Sequence, residues 1–302
     1  MGQISYEEME VGEPFQPLEY DLTAERVRTF REIVGDHNPL YDRPQPDGSL
    51  LVPPLIFAFD WHTVRNRSGN TQGGLHAKQT FRFPQPARVG MRVRLEAQLG
   101  AKYERRGYRY TVVEARIRGA DGTVVAEGAS TVATMVGGFH PKPPRTRAAP
   151  ERQASLAPDD HRSLTRPLVE ARMAAYWHLV CGRPEEGSHS SIAVARQAGL
   201  PTAVGQGNMV LCWLGALLGD CFGEGWPRGG ALDVAIVGRM LEGDTMTVHG
   251  ARRPAGQPLD PTRVTLDVWC ENQRGELTIV GTASGNTQGY LNASARPAQS
   301  LG

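Results

Sequence analysis

The stretches PARVGMRVRLEA at residues 86–97 and GRMLEGDTMTVHG at residues 238–250 share one pattern, a glycine followed by alternating polar and apolar residues. Three pairs of glycines are separated by the same 153 residues: Gly90 and Gly243, Gly122 and Gly275, Gly128 and Gly281. A repeated unit of this kind decides the architecture of a chain. The sequence therefore predicts two copies of one fold.

The shared glycines separate short runs rich in Val, Thr, Tyr and Trp. These runs lie at residues 92–99, 108–117 and 124–132, and again at 245–250, 264–270 and 277–283. Runs of this composition, punctuated by Gly and Asp-Gly, are typical of antiparallel strands joined by hairpins.

Helical spacing of apolar residues precedes each set of strands, at residues 23–34 and 167–181. Thr23 and Thr165 are the candidate N-caps, and Gly35 and Gly182 the candidate C-terminal residues. A further segment, residues 208–222, is apolar on nearly every side and must be enclosed. Its counterpart at residues 55–64 is less apolar. The predicted fold class is α+β, a sheet wrapped round a central helix in each half.

A proline-rich, charged stretch without apolar periodicity divides the chain into residues 1–140, a linker at 141–163 and residues 164–302. The 302 residues carry a net charge of +1 without clustering of either sign, so nucleic acid is not an expected partner. The longest apolar run is too short to span a membrane. The N-terminal residues lack a signal-peptide pattern, and we expect a cytoplasmic protein. Four cysteines without CxxC spacing predict free thiols and no metal site.

The order of motifs resembles the MaoC-like, or (R)-specific enoyl-CoA hydratase, family in its tandem double hot-dog form. The first half is similar to the N-terminal MaoC-type dehydratase domain through LVPPLIFAF at 51–59 and GGLHAKQTFRFPQPARVGMRV at 73–93. The second half is similar to the MaoC-like domain proper through SHSSIAVARQAGLPTAVGQGNM at 188–209 and GGALDVAIVGRMLEGDTMTV at 229–248. The resemblance implies two hot-dog units paired as a pseudo-dimer.

The family motif runs Gly-Asp-x-Asn-Pro-(Ile/Leu)-His-x-Asp, and its Asp and His hold a water molecule. In the first half Asp36 and Asn38 match this motif, but Tyr41 replaces the histidine. Tyr41 is a poor base at neutral pH. These three residues are interpreted as a degenerate second half-site that ties down a loop. In the second half His189 is present, and Pro184 stands where the Asp belongs.

His189 is the candidate general base, because a neutral imidazole can accept a proton at pH 7. Gly207 follows it by 18 residues, the family's spacing, and its backbone N–H at a helix start is the candidate oxyanion donor. Glu186 is the candidate carboxylate that orients His189; a solvated loop acid is the alternative. The candidate substrate-binding residues are Ser188, Ser190, Gln206 and Asn208. His62 and His76 are expected to pack or to line the groove.

The predicted reaction is cofactor-independent hydration of a 2-enoyl thioester, or dehydration of a 3-hydroxyacyl thioester, by a hydro-lyase. The expected partner is an acyl thioester of coenzyme A or of an acyl carrier protein. Neither nucleic acid nor membrane is expected, and assembly of pseudo-dimers into a homo-oligomer is left open. The alternative is a degenerate MaoC-like protein that binds acyl thioesters as a subunit, or that catalyses an isomerisation or cyclisation in secondary metabolism.

Overall fold

The computed structural model describes residues 5–67, 74–136, 161–182, 186–252, 262–287 and 290. Within these residues, ten strands form one antiparallel sheet in the order β1-β3-β4-β5-β2-β7-β10-β9-β8-β6. The strands are β1 Leu18–Asp21, β2 Leu75–Arg82, β3 Arg92–Arg105, β4 Tyr108–Gly119, β5 Val124–Met135, β6 His161–Pro167, β7 Ala231–Ile236, β8 Thr245–Arg252, β9 Arg263–Asn272 and β10 Leu277–Asn286. The helices are α1 Ala24–Val34, α2 Asp60–Arg67, α3 Glu170–Cys181, α4 Ile192–Gln197 and α5 Gly207–Phe222.

The sheet consists of two halves of five strands each, and the equivalent strands of the second half follow in the reverse order of the first. The halves join where β2 pairs with β7. At the centre of this seam Thr80 lies opposite Asp233, and these two residues are also 153 positions apart. The ladder partners to either side, Lys78 with Ala235 and Arg82 with Ala231, are placed symmetrically about that pair. An approximate two-fold axis therefore passes through the seam, and the predicted double hot-dog fold is confirmed.

Helix α5 lies in the interior, with fourteen of its sixteen residues buried. It crosses the first half at Gly215, where a Cβ would lie 2.7 Å from Leu55 Cδ1. Near its other end Gly250 on β8 and Gly285 on β10 leave room for Leu217 and Phe222. Each large apolar side chain removed from water in this way contributes about 1.5–3 kcal/mol to folding. The prediction that this helix is enclosed by the sheet is correct.

The helices of the two halves differ in how they begin. Thr23 caps α1 by accepting the Arg26 N–H, and Gly35 and Gly182 end α1 and α3 in the left-handed conformation, as predicted. The prediction of Thr165 as an N-cap is wrong, because Thr165 lies in β6 opposite Thr247 and α3 begins at Glu170. The first-half counterpart of α5 is interrupted: a 3-10 turn at Pro54–Phe57 precedes α2.

The division into residues 1–140, 141–163 and 164–302 stays a prediction, because residues 137–160 lie outside the described residues. Strand β6 begins at His161, close to the predicted end of the linker. All four cysteines are free thiols, and three of them are buried. None of the described helices is both long enough and apolar enough to cross a bilayer.

We predict that Gly281→Ala disrupts the seam. A Cβ at Gly281 would lie 2.1 Å from the main-chain oxygen of Asp233, and a backbone atom in a central strand cannot move aside cheaply. We expect a loss of roughly 2–3 kcal/mol or more in the free energy of unfolding, measured by urea denaturation.

Gly250→Ala is the matched control, because its Cβ would meet only side-chain atoms at 3.4 Å or more. Equal losses in the two variants would show that the close approach at Gly281 does not constrain the seam.

Candidate active site

His189 lies in a turn between α3 and α4 and is half-buried. Its Nδ1 is 2.7 Å from the main-chain oxygen of Val204, so Nδ1 carries the proton and donates it to that carbonyl. The other ring nitrogen, Nε2, then has a free lone pair. Burial lowers the pKa of His189 below its ordinary value, although the bond to Val204 acts in the opposite direction. The imidazole is therefore neutral at pH 7 and poised to accept a proton.

Three residues after Val204, helix α5 begins at Gly207. The first N–H groups of a helix have no partner within it, and they carry partial positive charge. Gln206 and Asn208 flank Gly207 and are 5% and 4% exposed. Neither atom of the Gln206 side-chain amide has a hydrogen-bond partner in the described part of the chain, nor does Asn208 Oδ1. Unsatisfied buried amides beside a helix start are typical of a site that receives a polar ligand.

Two histidines of the first half, His62 and His76, lie near the start of α5. The His62 ring contacts the His76 ring edge to face at 4.5 Å, and Phe59 stacks on His62 at 5.6 Å. Phe59 also contacts the Trp177 ring at 6.5 Å, and Trp177 lies 5.8 Å from His189. Burial lowers the pKa of His62 well below its ordinary value, and the neighbouring His76, Arg65 and His189 lower it further. The rings from both halves thus form one continuous row of neutral groups.

The serines and the carboxylate predicted near His189 lie in or beside the turn that carries it. Ser190 Oγ accepts the Gly187 N–H at 2.8 Å, and the main-chain oxygen of Ser188 accepts the Val204 N–H at 2.9 Å. Both serines hold the turn that carries His189. Glu186 is exposed, and no hydrogen bond joins it to His189 in the described part of the chain. The group that orients His189 is the Val204 carbonyl, at the position where the sequence analysis expected a carboxylate.

The degenerate second half-site lies at the opposite end of α5. Asn38 Nδ2 donates to Asp220 Oδ1 at 2.8 Å, and a Cβ at Gly219 would lie 3.4 Å from the Tyr41 hydroxyl. Burial raises the pKa of Tyr41 well above its ordinary value, so it remains a neutral phenol. Asp36 Oδ1 accepts the Asn38 N–H at 3.1 Å. These residues fill the space against α5.

The two sites are well separated. Gly207 and Gly219 lie in the same helix, and the rise of an α-helix places them about 18 Å apart. Asp36, Asn38 and Tyr41 therefore do not meet His189. A groove of about 880 Å³ lies elsewhere, on the outer face of the sheet near Arg82 and Arg116, and neither His189 nor Gly207 lines it. Among the described residues, no group of three or more His, Cys, Asp or Glu side chains is arranged to hold a metal ion.

The sequence alone predicts that His62 and His76 pack or line the groove and gives neither a catalytic role. A regular strand alternates its side chains, so His76 and Gln79, three residues apart, would point to opposite faces. The β2–β5 ladder has a bulge between His76 and Lys78. The extra residue brings His76 Nε2 to 3.1 Å from Gln79 Oε1. Sequence alternation contains no signal for such a bulge.

Comparison with known proteins finds similarity in sequence to the first half. Residues 9–128 match the family described as FAS1-like, dehydratase domain region. This segment spans β1 to β4 and the start of β5, and it carries Asp36, Tyr41 and His76. A UPF0336 protein of Streptomyces avermitilis is 31% identical over 96 residues, which is 28% of this chain and 64% of the relative's length. A second UPF0336 protein, from Streptomyces coelicolor, is 28% identical over 104 residues, or 30% of this chain and 69% of the relative.

Solved structures share the fold across both halves. A MaoC-like dehydratase superposes with a TM-score of 0.72 at 15% identity, covering 91% of this chain and 98% of that one. The peroxisomal multifunctional enzyme type 2 of Drosophila melanogaster has a TM-score of 0.66 at 16% identity, covering 91% of this chain and 48% of that enzyme. A Mycobacterium tuberculosis protein described as having a double hot-dog fold has a TM-score of 0.60 at 10% identity, with 94% and 98% covered. The predicted resemblance to MaoC-like proteins is confirmed.

We predict that Asp36 makes the protein less stable as the pH rises. Burial, opposed by the Asn38 N–H and by Arg31, raises the pKa of Asp36 to about 6. A carboxyl group whose pKa is higher in the folded than in the unfolded state stabilises the fold while it is protonated, and this stability is lost as the pH rises through the folded pKa. Between pH 5 and pH 8 the loss is about 1 kcal/mol.

Asp36→Asn removes this titration and keeps an oxygen that can accept the Asn38 N–H. Denaturation of both proteins at pH 5 and at pH 8 checks the prediction. The free energy of unfolding of the variant is expected to rise relative to that of the wild type at the higher pH. The prediction is contradicted if the wild type and Asp36→Asn differ in unfolding free energy by the same amount at both pH values.

Proposed function

We propose that this protein adds water to a 2-enoyl thioester, or removes water from the 3-hydroxyacyl thioester, at the start of α5. One observation carries the proposal: the Val204 carbonyl holds the Nδ1 proton of His189 and leaves Nε2 as a base, three residues before the helix start at Gly207. A fixed tautomer beside a partly positive helix end suits a reaction that moves a proton and builds charge on a carbonyl oxygen.

In the hydration direction, His189 Nε2 accepts a proton from water as the water oxygen bonds to C3. The C2–C3 π pair forms a C1–C2 double bond, and the carbonyl π pair moves onto the thioester oxygen, where the Gly207 N–H stabilises the negative charge. The protonated His189 then returns its proton to C2, and the enolate collapses to the thioester. The net change is addition of H at C2 and OH at C3. Because the thioester accepts the electron pair, no cofactor takes part.

The buried amides of Gln206 and Asn208 are proposed to bind the thioester, since both contain polar atoms without partners in the described residues. Ser188 and Ser190 are proposed to position His189 through its turn. Glu186, at the surface beside the turn, is proposed to act on His189 only indirectly. We propose that coenzyme A or an acyl carrier protein carries the acyl group. We also propose that the protein acts in the cytoplasm and that pseudo-dimers associate.

The dehydratase description of the family that residues 9–128 match supports this class of reaction. The exposure of Glu186 favours a second candidate, because it leaves His189 without a carboxylate partner in the described part of the chain. In that case the protein binds an acyl thioester without hydrating it, or catalyses an isomerisation or cyclisation. Loss of the conjugated-thioester absorbance of crotonyl-CoA or a longer enoyl-CoA distinguishes the two.

We predict that His189→Ala lowers kcat for enoyl-CoA hydration by two to four orders of magnitude, roughly the contribution of a positioned acid–base group. The fold is expected to survive, because the half-buried ring leaves a site that water can enter. Turnover is followed by absorbance and folding by the melting temperature.

His178→Ala is the matched control, since His178 is an exposed histidine on α3. Gly207→Ala adds a Cβ that meets its nearest atoms at 3.6 Å, an ordinary contact, so any loss of activity reports on the site. Wild-type turnover in folded His189→Ala would exclude the proposed mechanism.

The pH dependence of kcat/KM gives a further prediction. His189 must be neutral to act as the base, and burial lowers its pKa below 6.5. Activity is therefore expected to be constant near pH 7 and to fall at acidic pH, with an apparent pKa below 6.5 in a pH–rate profile. An acidic limb centred above pH 7 would contradict the assignment of His189.

A further inference from the structure

The protonation of His76 is fixed by the residues behind it. Gln79 is fully buried, and its side-chain nitrogen donates to the main-chain oxygens of Thr80 at 3.1 Å and Ala129 at 3.2 Å. These two bonds leave Gln79 Oε1 facing His76 Nε2 at 3.1 Å. Since Oε1 can only accept, Nε2 of His76 carries the proton and Nδ1 carries a lone pair.

This lone pair faces the start of α5. A Cβ at Gly207 would lie 3.6 Å from His76 Nδ1, and the Ile236 side chain borders the same point at 3.6 Å. His76 Nδ1 is buried, and no described residue donates a hydrogen bond to it. A buried acceptor without a donor is costly, and a bound group with an O–H or N–H removes the cost.

None of the described neighbours of His76 supplies that donor. The His62 ring meets His76 edge to face at 4.5 Å, and the nearest partner of His62 Nε2 is Ser130 Oγ at 3.5 Å. Burial lowers the pKa of His76 to about 4, so the ring keeps its lone pair throughout the neutral range. The helix start at Gly207 provides N–H donors for an oxygen, and His76 beside it provides an acceptor for a hydrogen.

We propose that His76 Nδ1 accepts a hydrogen bond from the reacting water, or from the 3-hydroxyl of the product, at the start of α5. The inference rests on the proposed function. Such a bond holds the reacting oxygen beside the N–H groups of the helix start, where the thioester oxygen is proposed to bind. The site is thus composite: the acceptor comes from β2 of the first half, and the base and the oxyanion donor come from the second half.

Two substitutions separate this role from a structural one. His76→Gln keeps a donor that can reach Gln79 Oε1 and loses the acceptor beside Gly207. His76→Asn keeps an acceptor close to the Nδ1 position and loses the bond to Gln79. We expect His76→Gln to retain the wild-type melting temperature and to lose about 10²-fold in kcat, the effect of a misplaced reactant. His76→Asn is expected to be less stable and more active than His76→Gln.

A binding measurement tests the contact itself. In the His189→Ala background, where turnover is slowed, calorimetry compares 3-hydroxybutyryl-CoA with butyryl-CoA. The protein is expected to bind the hydroxylated ligand about tenfold more tightly, because its hydroxyl donates one hydrogen bond to a buried acceptor. Adding His76→Gln should abolish this preference, whereas adding His178→Ala should leave it.

The outcomes distinguish the inference from the function on which it rests. If the wild type hydrates neither crotonyl-CoA nor a longer enoyl-CoA, both are overturned. If the wild type is active and His189→Ala is not, a His76→Gln variant with wild-type kcat overturns only the role of His76. Retention of the preference for 3-hydroxybutyryl-CoA in His76→Gln also overturns it, whatever the change in kcat.

Discussion

The pairing of β2 with β7 is the interaction on which the rest of the structure depends. It joins two five-strand sheets into one through a short ladder centred on Thr80 and Asp233. An exposed ion pair between Lys78 and Asp233 adds little to the stability of this seam, because solvent screens it. The main-chain ladder and the apolar residues beneath it, such as Phe81 and Val234, hold it together. In the joined structure, Leu55 of the first half packs on α5 at Gly215.

The same seam positions residues of the first half beside the start of α5. Because β2 begins beside the end of β7, His76 of the first half lies close to Ile236 and to the start of α5. At the far end of α5 the first-half loop packs on Gly219, where a Cβ would lie 3.3 Å from Asn38 Nδ2 and 3.4 Å from the Tyr41 hydroxyl. In the described part of the chain, buried polar atoms without partners flank both ends of the helix, but they belong to the Gln206 and Asn208 amides at its start and to the Tyr41 phenol at its far end. The approximate symmetry of the backbone therefore does not extend to the side chains.

Sequence periodicity predicted those parts of the molecule that depend on regular geometry. The repeat, the strands that follow Gly90 and Gly243, and the enclosed central helix all come from spacing that an unbroken strand or helix imposes. Thr165 was misassigned because an edge strand paired on one side only, β6, precedes α3, and its few residues carry no clear alternation. The position of His76 depends on one extra residue in a ladder, and the orientation of His189 on a main-chain carbonyl. Neither the bulge nor the carbonyl contact can be predicted from the types of the residues involved. The proposed roles of the site residues thus rest on the structure.

Gly128 and Gly281 stand on either side of the seam, and each faces a main-chain oxygen, that of Thr80 or of Asp233, at a distance no side chain could occupy. The requirement is purely steric and applies whatever reaction the protein catalyses. Tyr41 and Pro184, by contrast, stand where chemistry alone would demand His and Asp. After a duplication, the two copies could therefore lose or exchange their reactive groups while these glycines stayed fixed. The backbone contacts at these glycines thus constrain both halves in the same way, whereas the side chains near the two ends of α5 differ between the halves.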